Sequence, residues 1–120
     1  MSNAATVRII QGPLVAPVLS RVVGMLAARA QCPVDRLDDA LLVTDAIAAH
    51  APGRSRNNHV TVELRSSDDG LELRVLELGV DGSAGLLQDA ALPGVGNVLE
   101  RIADDVAVED DALVVRLGFA

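Results

Sequence analysis

The stretch that decides the fold is "HVTVELRSSDDGLELRVLEL", residues 59–78. Val60, Val62 and Leu64 alternate with Thr61, Glu63 and Arg65. Leu71, Leu73 and Val75 alternate with Glu72 and Arg74. Successive strand side chains point to opposite faces, so a period of two describes two strands with one apolar and one wet face each. The segment "SDDG" joins them, and Asp69-Gly70 is the expected turn of an antiparallel hairpin. A sheet that is dry on one face needs a second layer to cover it.

The cover lies upstream. In "LVAPVLSRVVGMLAARAQ", residues 14–31, Leu19, Val22, Val23, Leu26 and Ala30 recur at helical spacing. Pro17 is tolerated only in a first turn, so this helix starts near Val15. Val18 and Met25 fall beside the main line. The helix is apolar over more than one stripe, which implies either two buried faces or one buried face and a partner surface. "CPVDRLDDALLVTDAIAAHA", residues 32–51, is a second helix. Pro33 suits its first turn, and Asp35, Asp38 and Asp39 suit the positive end of its dipole. It stops near Pro52-Gly53, and the basic, polar "GRSRNN" follows as a solvated loop or a basic patch. Ahead of both helices, "ATVRIIQG", residues 5–12, is a short strand.

Downstream, residues 79–93 read as a long Gly-containing loop with room for one helical turn. Loops of that length in small domains are often functional. "GVGNVLERIAD" is a helix opened by Gly94 and Gly96, with Val98, Leu99 and Ile102 pointing inward. "DVAVED" and "ALVVRLGF" give a last hairpin around Asp110-Asp111. The order βααββαββ, with strands clustered in hairpins, predicts an α+β two-layer sandwich: a mainly antiparallel sheet with helices on one face.

The totals narrow the function. The chain has 120 residues, half of them hydrophobic, which suits one ordered domain. The "SNA" after Met1 resembles an expression-tag scar, so residues 1–4 are set apart as tag or disordered start and the domain spans 5–119. One Phe and no Trp or Tyr leave no stacking platform for bases. The formal charge is −7 and every one of the ten cations is Arg. Such a chain repels phosphate backbones and anionic lipid, so neither nucleic acid nor membrane is an expected partner; proteins with basic patches are. A single cysteine, Cys32, allows no internal disulfide and no zinc site. Pro17, Ser20, Arg21 and Arg29 interrupt the apolar run 14–30, so no membrane span is expected and the cytoplasm is the expected location.

Three segments carry a resemblance: "DRLDDALLVTDAIAAHA", "VTVELRSSDDGLELRVLELG" and "PGVGNVLERIADDVAVEDDALVVRLGF". Together with the element order they resemble the histidine-kinase-like ATPase (Bergerat) domain over roughly residues 5–119. The nearest likeness is to the anti-sigma-factor serine kinases. The resemblance implies three nucleotide boxes. The first, on the second helix, is an acid followed four residues on by an Asn that ligates Mg²⁺. Here these are Asp45 and Ala49, and Ala49 has no oxygen to offer. His50 is no substitute, since it lies about 100° round the helix and Mg²⁺ prefers oxygen.

The second box is Asp-x-Gly-x-Gly, whose Asp reads the adenine amino group. It stands here as Glu77, Leu78, Gly79, Val80 and Asp81. The acid is one methylene longer, reaching about 1.5 Å further, and Asp81 puts a charge near the phosphates. The third box is a glycine pair whose N–H groups cradle phosphate, here Gly94 and Gly96.

The resemblance thus implies a non-catalytic anti-sigma-factor-like regulator with degenerate motifs, acting on a sigma factor or an anti-anti-sigma factor, with a homodimer implied by the family. No metal site and no cofactor are expected, and Asp45 is vestigial. One alternative is a nucleotide-binding kinase or ATP sensor, in which Asp45, Glu77, Gly79, Gly94 and Gly96 line one pocket for ATP or ADP. Another is a structural dimerisation module.

Overall fold

The computed structural model describes residues 2–92, 96–109 and 111–119. Gly94 therefore lies outside the described residues. The chain runs β1 (Asn3–Ile10), α1 (Val15–Arg29), α2 (Val34–His50), a 3-10 turn (Ala51–Arg54), β2 (His59–Ser67), β3 (Gly70–Leu76), α3 (Gly82–Asp89), β4 (Ala91–Leu92), β5 (Gly96–Asn97), α4 (Val98–Ile102), β6 (Asp105–Val108) and β7 (Leu113–Gly118). This is an α+β architecture with a five-stranded antiparallel sheet in the order β1-β2-β3-β7-β6. Its arrangement is compatible with two layers.

Register explains the core. Ala5, Leu64, Leu73, Val115 and Val106 stand side by side across the five strands. Val15, Leu19, Val23 and Leu26 of α1 and Ala40, Val43 and Ile47 of α2 pack against that row in one cluster. The opposite face carries Arg65, Glu72, Arg116 and Asp105 in one cross-strand line. Arg116 bonds Asp105 at 2.6 Å and lies 3.5 Å from Glu72. Alternating charges across a wet face are the sheet's counterpart of helix ion pairs.

Several boundaries differ from the sequence reading. β1 starts at Asn3, where Asn3 and Ala4 pair with Ser66 and Arg65; residues 3 and 4 belong to the sheet. The hairpin turn is Asp68-Asp69, since Ser67 already pairs with Gly70. Gly70 is needed for another reason: a Cβ there would run into the Leu117 carbonyl of β7. The expected loop 79–93 contains the eight-residue helix α3.

Two devices fix the helices. α1 ends with Gln31 at φ 56°, while Gln31 and Cys32 donate to the Ala28 and Ala27 carbonyls, a left-handed stop that usually takes glycine. Arg36 on α2 donates to the carbonyls of Gly118 at 2.8 Å and Ile102 at 3.1 Å, and to Asp39 and Asp104. One guanidinium thus ties α2 to the ends of α4 and β7.

Candidate functional site

The first box is turned outward. Ile47 of α2 is fully buried. Asp45 and Ala49 each lie two residues from it, about 200° round the helix, and both are exposed. The apolar letters beside Asp45 in the sequence are not its neighbours in space. The stretch "LLVTDAIAAHAP", residues 41–52, reads as a carboxylate in apolar surroundings; the structure corrects this, since Asp45 is exposed and points away from buried Ile47.

Glu77 lies on the other side of the molecule. Val60 and Val62 face the helices, so Thr61 between them belongs to the opposite face of the sheet. Arg8 is its cross-strand partner there. The Glu77 carboxylate accepts from the Thr61 hydroxyl, from Arg8 Nε at 3.3 Å and from Asn57 Nδ2 at 3.4 Å. The Thr61 bond above all, helped by Arg8, holds this carboxyl below its ordinary range. Glu77 itself sits at φ 55°. Asp45 is thus exposed on α2, whereas Glu77 is bonded to Thr61 and Arg8 on the face of the sheet turned away from the helices.

The glycines are engaged locally. Gly79 N–H donates to the Arg54 carbonyl at 2.8 Å, and Gly82 N–H to the Gly79 carbonyl. Asp81, where the box has its second glycine, keeps a left-handed φ of 57°, which Asp tolerates better than most residues. Gly96, at φ 96°, pairs with Leu92 in the short β4–β5 ladder rather than opening a helix. α4 is only five residues long and is capped by Asn97, whose Oδ1 accepts from Leu99 and Glu100. Val98 N–H is taken by the Ala90 carbonyl. The first three N–H groups of α4, the ones a phosphate would need, already have acceptors.

The segment after the second box folds as α3 and packs onto the core. Leu86 is fully buried in the core, and Leu87 packs against it. Gly82 and Gly85 let the Arg54 side chain lie across this helix: a Cβ on Gly85 would stand 2.6 Å from its guanidinium carbon. Arg54 holds Asp89 through bonds of 2.8 and 3.0 Å. "GRSRNN" is thus no free basic patch, since Arg54 clasps α3 and Arg56 lies 4.0 Å from Asp111.

A cavity of about 530 Å³ opens on the wet face of the sheet near Gly70, Glu72 and Arg116. Asp45, Glu77, Gly79 and Gly96 do not line it. No group of three or more potential metal ligands occurs among the described residues, and no described helix is long and apolar enough to cross a membrane.

Arg54, Asp89, Thr61 and Arg36 shape this region and were not singled out by sequence reading. Asn97 followed three residues later by Glu100 is a readable capping signal. The other four depend on partners distant in the chain. The chain matches no protein-family model and no curated protein.

Proposed function

We propose that this chain is a non-catalytic, anti-sigma-factor-like regulator built on a degenerate Bergerat-like domain, working by protein–protein binding. The order βααββαββ, with α3 and β4 added in the loop and β5 added ahead of α4, supports the fold reading. The single observation that carries the functional reading is the separation of the two box acids: Asp45 in solvent on α2, Glu77 bonded to Thr61 and Arg8 behind the sheet. Adenine recognition and Mg²⁺ handling need those groups around one ligand. The loss of an Asn at Ala49 and the capped N–H groups of α4 point the same way.

The test has two arms. Purified protein is incubated with labelled Mg·ATP and serine-bearing candidate partners, and partners are captured by cross-linking in the source cell. The proposal expects no transferred phosphate and recovery of a sigma factor or its antagonist. Phosphate transfer to a partner serine contradicts it.

A dimerisation module is the second reading. It is favoured by β1, an eight-residue edge strand with no neighbour on its outer side among the described residues. Such an edge is a template for pairing. Recovery of neither partner class, with a stable dimer in sedimentation, selects it.

A further inference from the structure

We propose that the outer face of α1 is a docking surface for an acidic amphipathic helix of a partner protein. The inference rests on the reading that the chain works by binding protein, and it names the surface and the chemistry of what binds.

Three observations carry it. The first is shape. At 3.6 residues per turn, Leu14, Val18, Arg21, Val22, Met25 and Arg29 fall within an arc of about 100°. Leu14 is 60% and Met25 45% exposed. A groove of about 260 Å³ lies between Leu14, Pro17, Val18, Arg21 and Val22. Leu14, Pro17, Val18 and Arg21 are spaced i, i+3, i+4, i+7, the four positions that surround the hole for one knob of a facing helix.

The second is charge. Residues 1–34 hold Arg8, Arg21 and Arg29 and no Asp or Glu, leaving seven arginines against all seventeen carboxylates in the rest. Arg8 is taken up by Glu77 behind the sheet, so the charge on α1 itself is that of Arg21 and Arg29, with no carboxylate on the same helix.

The third is pairing. Arg8, Arg36, Arg54, Arg56, Arg65, Arg74 and Arg116 have carboxylate partners, and Arg101 is engaged too. Arg21 and Arg29 alone have none among the described residues. Two unpaired guanidiniums two turns apart, with an exposed methionine midway, call for carboxylates along the flank of an incoming helix.

Other occupants fit less well. A symmetric contact with a second copy would set arginines against arginines. A head-to-tail contact with the acidic outer side of α2 would be heterologous, and such contacts polymerise unless their rotation closes a ring. Anionic lipid would meet the acidic remainder of the chain.

The probe is a labelled synthetic helix of about five turns, with leucine along its seam and glutamate on its flanks, titrated against the full chain. A twin peptide carrying lysine for glutamate is the control. The Glu peptide is expected to bind, to lose affinity with salt, and to protect amides of residues 14–29 from exchange; the Lys peptide is expected not to bind. Arg21→Glu with Arg29→Gln should weaken binding about tenfold or more, and Val18→Asp should do the same, each at a melting temperature that shows a folded chain. Equal binding of both peptides, or binding untouched by these variants, overturns the proposal. So does binding of phosphatidylserine vesicles in place of peptide, or self-association that the Arg21 variant abolishes. If a cross-linked cellular partner binds the variants undiminished, the docking surface fails while the protein-binding reading stands. If no cellular partner exists, that reading fails whatever the peptide does.

Discussion

Arg54 and Asp89 are joined by two nearly parallel hydrogen bonds of 2.8 and 3.0 Å across thirty-five residues of chain. Their clasp decides what residues 82–89 do, because it holds α3 down over the core instead of leaving a free lid. The fork-to-carboxylate geometry gives the contact direction as well as attraction. Both side chains are about one-third exposed, so its effect is local positioning rather than a large share of global stability. Asp89→Asn is expected to speed amide exchange in residues 82–89 while the core strands keep their protection. Gly85→Ala is the sharper variant. It adds about 1 kcal/mol of helix propensity yet places a methyl where the guanidinium lies, so exchange in α3 should rise with little change in melting temperature. Unchanged exchange in both variants would show that the clasp positions nothing.

Asp104 sets part of the acid limb of stability. The Gly118 N–H first, and then Arg36, hold its carboxyl below the ordinary carboxylate range. A depressed folded pKa means that the unfolded chain binds the proton first. Stability from this contact is therefore complete above about pH 4 and is lost as pH falls through the folded value. Asp104→Asn should flatten the fall of the urea midpoint between neutral and acid pH, and high salt should shrink the difference because the group is largely exposed. An acid limb identical to that of the native chain would contradict the assignment.

Leu86 is a core residue presented by a helix that sequence patterning does not reveal. It is fully buried, so Leu86→Ala should cost about 2–5 kcal/mol in urea unfolding. A loss below 1 kcal/mol (the cost typical of a mobile surface loop) would mean that α3 does not pack as described.

Gln31 holds a left-handed conformation at the end of α1 without being glycine. Gln31→Gly should raise stability by about 1 kcal/mol by removing the Cβ penalty at φ 56°. Thermal unfolding checks it, and a lower melting temperature would contradict the stop described here.

The layers were legible where the pattern was long. Val60 to Val75 carries enough period-two repeats to fix a hairpin and its dry face, and α1 and α2 are long enough for helical spacing to show. What was not legible depends on contacts. Gly70 read as a turn glycine because its clash with Leu117 is across strands, not along the chain. α3, with Gly82, Ser83 and Gly85 in eight residues, gives too few apolar positions for a period. Asp45 read as a carboxylate in apolar surroundings because its linear neighbours Ala46 and Ile47 are apolar, yet they lie on other sides of the helix. Arg54 read as a solvated loop cation because Asp89 is remote in sequence. The candidate site was therefore less readable than the frame that carries it.

Whether the chain holds a nucleotide is the deciding property. Titration calorimetry of the purified protein with Mg·ATP, alone and after Ala49→Asn, tests this most directly. The account predicts no saturable heat in either protein, because an Asn restored at an exposed position still has no adenine-binding acid beside it. Saturable binding of Mg·ATP to the native chain, lost on Asp45→Ala and on Glu77→Ala, would contradict it.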